Sequence, residues 1–433
     1  MSWDTFARVL PATARVNESG HLEVGGCDAL ELVREHGTPL YVLDESDVRD
    51  RMRRYRDAFG GENVHYGAKA FLTRSFVPIL TSEGIALDCA TGGEIYTAVT
   101  GGFSAERMLF HGNNKSADEL TEALDAGVGA IVIDNLNELE RLERVAGSQE
   151  VGVPILLRVT PGIEAHTHEY LKTGIEDTKF GVPIGDAALE VVRRAARAPH
   201  IEIVGLHAHI GSQVFDIEPF GEAARVMVRF LARVREATGL ELPVLDLGGG
   251  LGIAYEPDDT PATIEDYAKV VLDAVRTEAE RVGTPAPTVK VEPGRSIVGP
   301  TMLTLYQVGA LKDIPGVRTY AAVDGGMSDQ IRPALYGATY TFVSASRPDT
   351  PHDTTYAVAG RLCESGDVFR RDAMLPRLED GDIVAMAATG AYGYAMASNY
   401  NREPRPAVVS VADGHARVLA RRESYEDLVR LEG

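Results

Sequence analysis

Eight short apolar runs lie between residues 63 and 292, and each run ends at, or is followed directly by, a polar, charged or glycine residue. Between them lie segments of helical length in which apolar residues recur three and four positions apart. Buried strands that alternate with amphipathic helices are typical of a parallel sheet, and eight such units in about 230 residues predict a (β/α)8 barrel of the TIM type. The eight runs are 63–68, 85–88, 108–111, 130–134, 154–158, 204–209, 244–248 and 288–292.

The residues that end these runs indicate where the chemistry lies. In barrels of this type, the catalytic groups come from the carboxyl ends of the strands. We therefore expect a site built from several run ends that are distant in sequence. These ends are Lys69, Asp88, His111, Asp134, Arg158, His209, Gly248 and Glu292.

The remainder of the chain predicts a second domain. From Met302 onward, short β-rich runs are separated by Gly, Pro and Asp, which predicts a mostly β C-terminal domain of the sandwich or barrel kind. The extended run His21–Val24 suggests that the N-terminal segment contributes to the same sheet. The predicted boundaries are 1–43 for the segment that joins the β domain, 44–300 for the barrel and 301–433 for the β domain. Predicted barrel helices include 117–126, with Ser116 as N-cap, 220–238 and 264–282.

Composition excludes several classes of partner. Lys plus Arg is 43 and Asp plus Glu is 64, a net charge of −21 that disfavours nucleic acids and anionic membranes. No signal-peptide pattern is present at the N-terminus, and no run approaches the ~20 apolar residues that span a bilayer. Three cysteines without metal-ligand spacing predict no disulfide, no metal site and a cytoplasmic location. His166 and His168 alternate about Thr167 without a Cys/His cluster to complete a metal site, which favours a loop or substrate-side role.

The last two run ends, combined with Lys69, indicate a cofactor. A lysine at a strand end is by itself best explained as a surface residue. Here, however, Gly248-Gly249-Gly250 follows the seventh run and Glu292-Pro293-Gly294-Arg295 follows the eighth, the loops that usually form phosphate sites in barrels. Lysine, phosphate loop and carboxylate together predict pyridoxal phosphate: a Schiff base on Lys69, the phosphate at the glycines, and the pyridine nitrogen at Glu292, with His209 stacked on the ring.

Seven motifs extend this interpretation over most of the chain, from about Thr38 to Leu431. In combination they resemble the diaminopimelate decarboxylases, members of the barrel-type pyridoxal phosphate decarboxylases. Gly67 and Thr91 depart slightly from the family pattern, where Ala and Ser are common. The motifs are His65–Ala70, His111–Ser116, Leu206–Gln213, Leu245–Gly252, Glu292–Arg295, Cys363–Asp367 and Gly390–Gly393.

The resemblance implies a role for each matching residue. Lys69 matches the Schiff-base lysine, His209 the residue stacked on the cofactor and Glu292 the partner of the pyridine nitrogen. Cys363 matches the acid that reprotonates the substrate carbon, delivered from the second subunit of a homodimer whose active site is shared across the interface. The implied cofactor-binding residues also include Ser212, Gly249, Gly250, Gly294, Arg295 and Tyr392. The implied substrate-binding residues are Arg295, Arg332, Tyr336, Glu364 and Tyr392.

The implied reaction is decarboxylation of meso-2,6-diaminopimelate to L-lysine and CO2, the last step of bacterial-type lysine biosynthesis. This substrate ends in a second amino acid centre, for which an arginine suits the carboxylate and Glu364 the ammonium. Arg332 is the discriminating residue, because in this family the arginine of the Glu292–Arg295 motif also occurs in enzymes for simple diamines. The alternatives are a decarboxylase of the ornithine, arginine or carboxynorspermidine type, an amino acid racemase on the same barrel, and a non-catalytic regulator, against which the intact Lys69 and Cys363 argue.

Overall fold

The computed structural model describes residues 3–163 and 179–433, so the predicted roles of His166 and His168 fall outside the described residues. The chain forms two compact units. The barrel unit comprises Met52–Gly252 and Pro261–Ser296, and the β unit comprises Met1–Arg51, Ile253–Thr260 and Ile297–Gly433, as far as these ranges are described. Residues 253–260 therefore group with the β unit although they fall inside the predicted barrel range. The predicted domain boundaries remain a prediction.

The N-terminal segment belongs to the β unit. It contains β1 (Arg15–Val16), β2 (Leu22–Val24), β3 (Cys27–Asp28), α1 (Ala29–His36) and β4 (Leu40–Asp44). The expectation that the 21–24 run extends the C-terminal β-sheet is wrong, because β2 pairs with β1 and β3 in a separate three-stranded sheet. Gly25 and Gly26 have positive φ and fold β3 back onto β2, so both edges of β2 are occupied. It is β4 that enters the large sheet of this unit.

The barrel strands form where the eight apolar runs predict them. They are β5 (His65–Gly67), β6 (Ala86–Cys89), β7 (Met108–Phe110), β8 (Ala130–Ile133), β9 (Val153–Thr160), β11 (Ile201–His207), β12 (Val244–Asp246) and β13 (Thr288–Lys290). Each pairs in parallel with its neighbour, and β10 (Val182–Pro183) adds to β9. The His65 N–H donates to the Val291 carbonyl at 2.8 Å, which joins the first and last strands. The (β/α)8 barrel is thus confirmed.

Amphipathic helices alternate with these strands. The predicted helix at 117–126 has the predicted Ser116 N-cap, whose side chain accepts from the Glu119 N–H in a capping box. Buried apolar side chains of β7, β8 and β9 form part of the barrel core: Leu109, Ala130, Val132 and Leu156. Within residues 45–163 and 179–298, the α-helices are α2 (Glu45–Phe59), α3 (Val77–Glu83), α4 (Gly92–Thr100), α5 (Ala117–Ala126), α6 (Leu136–Gln149), α7 (Asp186–Ala195), α8 (Glu218–Thr238), α9 (Ile264–Val282) and α10 (Arg295–Val298).

The C-terminal part of the β unit is mostly strand, as predicted. Its elements are β14 (Met302–Ile314), β15 (Arg318–Val323), α11 (Arg332–Tyr336), β16 (Phe342–Ser344), β17 (Thr354–Ala359), β18 (Val368–Leu375), β19 (Ile383–Met386), β20 (Ala407–Ala412), β21 (His415–Ala420) and α12 (Tyr425–Val429). The main path of the sheet runs β18-β17-β15-β14-β4-β20-β21, and β19 pairs with β14 and β16. No helix among the described residues has the length and apolar character needed to cross a bilayer.

Candidate active site

Lys69 lies in a short 3-10 turn, Ala68–Ala70, directly after β5, and its side chain is exposed. The neighbouring Gly67 donates its N–H to the Pro293 carbonyl at 3.2 Å, so the loop after β13 lies beside the lysine turn. A Cβ placed on Gly67 would lie 3.6 Å from the nearest atom, Gly294 Cα, an ordinary contact. The departure from the family pattern at Gly67 therefore alters no packing that this turn depends on.

Glu292, which follows β13, is buried between two histidine rings. His111 Nε2 lies 2.6 Å from Glu292 Oε1, and His207 Nε2 lies 3.3 Å from Oε2. Burial opposes ionisation, but His111 and His207 hold the pKa of Glu292 well below its ordinary value. Burial lowers the pKa of His207, so this ring is neutral and donates its Nε2 hydrogen. The arrangement supplies an ionised carboxylate in a low-dielectric setting.

Asp88, at the end of β6, faces the same group. Its Oδ1 lies 3.6 Å from His111 Nε2. Burial raises the pKa of Asp88 to about 6, and His111 opposes this shift. Below about pH 6, Asp88 is therefore mostly protonated while Glu292 stays ionised, although both contact His111.

His209 is held by the glycine loop after β12. The Gly249 N–H donates to His209 Nδ1 at 3.2 Å. Burial lowers the pKa of His209 well below its ordinary value, with Lys69 acting in the same direction. The ring is therefore neutral, with Nδ1 as acceptor, and an uncharged imidazole can stack on a planar cofactor.

The glycines of this loop are required by crowding. A Cβ on Gly249 would lie 2.2 Å from the Glu292 carbonyl oxygen, and one on Gly250 would lie 2.3 Å from that of Gly211. Gly250 also has φ +123°, in the left-handed region that favours glycine. The loops after β11, β12 and β13 thus approach each other with only backbone between them, which suits an anion that binds N–H groups.

Arg295 lies beside this loop. It is buried, and its guanidinium donates to Ser212 Oγ, at 2.9 Å from Nη2 and 3.3 Å from Nε. The structure therefore brings Ser212 and Arg295 together in the barrel unit, in line with their predicted anion-binding roles.

Within the β unit, Arg332 is surrounded by aromatic rings. It begins α11 and is 4% exposed, and its guanidinium carbon lies 5.7 Å from the Tyr255 and Tyr336 rings and 5.6 Å from the Tyr392 ring. Arg332 Nε has no hydrogen-bond partner, and no carboxylate of residues 3–163 or 179–433 lies within ion-pair distance of the guanidinium. A buried guanidinium without an anion is costly, so this position is suited to bind one.

Cys363 and Glu364 lie on an exposed loop of the same unit. Asp367 fixes the base of this loop, since its carboxylate accepts the Leu362 N–H at 2.8 Å and the Met327 N–H at 2.7 Å. The Tyr400 hydroxyl donates to Glu364. The thiol is therefore presented at the surface on a loop that is held from below.

Several residues of the site were not assigned a role from sequence. His111 and His207 contact Glu292, and Tyr255 contacts Arg332. The sequence predicts that His111 lies at the site, because it ends an apolar run and begins a motif, but it does not predict that Glu292 is its partner. Tyr255 lies in the 253–260 segment, which the sequence assigned to the barrel.

The donor set fits pyridoxal phosphate. A lysine amine suits the aldehyde, a buried ionised carboxylate suits a protonated pyridine, and a glycine-lined junction suits the phosphate. The donor atoms of His111, His207 and Glu292 also lie within 4.8 Å of one another, a spacing that a metal ion could use. Both histidines, however, are already directed at the Glu292 carboxylate.

The barrel and this donor set define a barrel-type pyridoxal phosphate-dependent enzyme, and residues 45–299 match the family model described as pyridoxal-dependent decarboxylase, pyridoxal binding domain. The chain is 46% identical over 428 residues to diaminopimelate decarboxylase of Bacillus subtilis (strain 168), covering 98% of each chain. This chain belongs to the diaminopimelate decarboxylase family.

Solved structures agree with this assignment. The crystal structure of diaminopimelate decarboxylase from M. jannaschi has a TM-score of 0.91 and 32% identity, with 97% of this chain and 98% of that chain covered. The Helicobacter pylori enzyme complexed with L-lysine has a TM-score of 0.86 and 35% identity, covering 94% and 99%.

Proposed function

We propose that this chain decarboxylates meso-2,6-diaminopimelate to L-lysine and CO2 with pyridoxal phosphate as cofactor. Family membership supports the reaction class and the cofactor. The single observation that supports the substrate assignment is the buried guanidinium of Arg332. It lies among three tyrosines without an anionic partner in the described parts of the chain. Of the candidate substrates, diaminopimelate supplies such an anion at the end remote from the reacting carbon.

The barrel unit binds and orients the cofactor in this proposal. Lys69 attaches it covalently, neutral His209 stacks on its ring, and Glu292 keeps the pyridine nitrogen protonated. The proposed phosphate-side residues of this unit are Ser212, Gly249, Gly250, Gly294 and Arg295, and Tyr392 is a further proposed one from the β unit. When bound, pyridoxal phosphate supplies an electron sink for the pair left on the α-carbon as CO2 departs.

The β unit selects the substrate and supplies a proton. Arg332, with Arg295, holds the distal carboxylate, and Glu364 accepts from the distal ammonium; Tyr336 and Tyr392 complete the substrate contacts. Cys363 donates a proton to the α-carbon. Its exposed loop supports delivery to the site of a second subunit in a homodimer. A cytoplasmic location also stays a proposal, supported by the low cysteine content.

Substitution of Arg332 tests the substrate assignment. Arg332→Met leaves the distal carboxylate unpaired, which costs on the order of 2–5 kcal/mol, or roughly 30- to several-thousand-fold in kcat/KM for meso-diaminopimelate. L-lysine lacks that carboxylate, so kcat/KM for L-lysine should stay at its wild-type value, however slow that reaction is. Steady-state kinetics on both substrates measure the difference.

Arg318→Met is the matched control, because Arg318 lies 5.9 Å from the Tyr320 ring in the same unit and has no proposed contact with substrate. Its kinetics should match the wild type. Equal losses for both substrates in Arg332→Met would show that Arg332 supports the fold and would remove the main argument for the substrate.

A further inference from the structure

The loop after β7 carries a buried lysine that the proposed reaction does not use. Lys115 is 2% exposed, and its Nζ donates to the Gly112 carbonyl and to the Val132 carbonyl, each at 2.8 Å. It also pairs with Glu138, which is 1% exposed. A buried ion pair of this kind is weak evidence for added stability, since desolvation offsets much of the attraction. Its position in the barrel therefore needs another explanation.

The pair joins two strand ends. Gly112 follows β7, whereas Val132 belongs to β8, so one ammonium group bridges neighbouring βα units. Glu138 is anchored on α6, and its Oε2 accepts the Asp134 N–H at 3.1 Å just after β8. Arg141, on the same helix, donates to the Lys115 carbonyl. The loop after β7 is thus fastened to the start of α6 at more than one point.

The fastened loop carries His111. Gly112, whose carbonyl accepts from Lys115 Nζ, directly follows His111 in the chain and has φ +129°, in the region that favours glycine. The His111 N–H donates to the Cys89 carbonyl at 2.7 Å, and its ring reaches Glu292 at 2.6 Å. Lys115 therefore holds the backbone directly after His111, and the His111 ring contacts Glu292.

We infer that Lys115 is a positioning residue that, by tying the Gly112 carbonyl to the end of β8, holds the His111 ring against Glu292. The inference rests on the proposed role of Glu292 as partner of the cofactor. Lys115 touches neither substrate nor cofactor in this account and acts through His111. Loss of the tether lets the ring withdraw, which leaves Glu292 with His207 as its remaining histidine contact and less well oriented.

Two variants separate this role from simple support of the fold. Glu138→Gln keeps the acceptor for the Asp134 N–H and both Lys115–carbonyl contacts but leaves the buried ammonium without its ion-pair partner, so Tm should fall while the site stays intact. Lys115→Met/Glu138→Gln removes both charges, so it should have a higher Tm than Glu138→Gln and yet a disordered loop. We expect its affinity for pyridoxal phosphate and its kcat to fall ~10- to 100-fold, the scale of a misplaced site group. Glu138→Gln should thus have the lower Tm, whereas Lys115→Met/Glu138→Gln should have the lower cofactor affinity and kcat.

A measurement on the cofactor-free protein gives an independent readout. His111 is 7% exposed and faces Glu292, so its ring should resist ethoxyformylation by diethyl pyrocarbonate in wild type and in Glu138→Gln. In Lys115→Met/Glu138→Gln, peptide mass mapping should show His111 modified at least several-fold faster. His200, outside this network, serves as the internal reference. Unchanged His111 protection in the double variant, or equal loss of cofactor affinity in Glu138→Gln, would overturn the inference.

If the double variant does not fold, Lys115→Met/Glu138→Leu provides an all-apolar replacement of the pair for the same measurements. Failure of the proposed function is a different result: Glu292→Gln would then bind cofactor and turn over like the wild type, whatever the reactivity of His111.

Discussion

Asp329 is a buried carboxyl of the β unit that makes stability depend on pH. Its carboxylate accepts from the Tyr306 hydroxyl at 2.6 Å and from the Gly326 N–H at 2.7 Å. Burial raises the pKa of Asp329 to about 7, although the Tyr306 hydrogen bond opposes the shift. An ordinary carboxyl group has a pKa of ~4. Between that pH and about pH 7, the folded protein therefore retains a proton that the unfolded chain has released.

The contribution of Asp329 to stability is consequently full below pH ~4 and lost as pH rises through about 7. Asp329→Asn should show a smaller loss of unfolding free energy between pH 5 and pH 8 than the wild type, measured by urea denaturation. Asp349→Asn, at an exposed position, should keep the wild-type slope. The same slope in Asp329→Asn as in the wild type would show that this carboxyl does not set the pH dependence.

At the residue scale, sequence identifies groups better than it identifies partners. Lys69, Glu292 and the glycines could be predicted because each follows an apolar run. The contact between Glu292 and His111 could not, because it joins strands separated by about 180 residues and depends on which side chains converge inside a closed barrel. The buried Lys115–Glu138 pair could not be predicted from the sequence either, because it also depends on which side chains converge in the folded barrel.

The glycine turn after β12 is an element whose course depends on the absence of side chains. Gly249→Ala would place a Cβ 2.2 Å from the Glu292 carbonyl oxygen, so the loops after β12 and β13 must separate. We expect Gly249→Ala to lose ~10-fold or more in affinity for pyridoxal phosphate, because the N–H groups and Glu292 move apart. Equilibrium dialysis measures the affinity.

Gly93→Ala in α4 is the matched control, since its Cβ would lie 3.7 Å from Thr91 Oγ1. It should bind cofactor normally and be as stable as the wild type or slightly more so, because alanine favours a helix. Normal affinity in Gly249→Ala would show that the loops have room to adjust.

Elements with strong periodicity were predictable, and irregular strands were not. Barrel strands and helices such as α5 and α9 follow from apolar runs and caps. In contrast, β18 carries the charged residues Arg370, Arg371 and Asp372 in succession, which interrupt its alternation of buried residues, and β21 is a largely exposed edge strand. The sequence of neither strand therefore shows an uninterrupted alternation of apolar and polar residues, from which a strand is recognised.

At the scale of the whole molecule, the 253–260 segment shows the limit of a linear domain assignment. It follows β12 in the chain but groups with the β unit, where Tyr255 reaches Arg332. Apolar periodicity reports local structure and does not reveal which unit a short connection packs against. The two units also divide the proposed site residues, with Lys69 in one and Cys363 in the other.

The proposed shared site of a homodimer predicts complementation between inactive variants. Lys69→Ala and Cys363→Ala should each be nearly inactive, the latter by ~10²–10⁴-fold. After subunit exchange, the mixture should recover about a quarter of wild-type activity, because half of the dimers are mixed and each has one intact site of two. Exchange itself is verified with differently tagged subunits. Verified exchange without recovery would contradict a site shared between subunits.

The most direct test of the central claim is product analysis with the purified protein and pyridoxal phosphate. Incubation with meso-2,6-diaminopimelate should release CO2 and L-lysine in equal amounts, and Lys69→Ala should release neither. Ornithine, arginine and carboxynorspermidine should react far more slowly, because none of them has a second, distal carboxylate for Arg332 to bind. Preferential release of CO2 from one of these amines, or racemisation of an amino acid without CO2, would contradict the account.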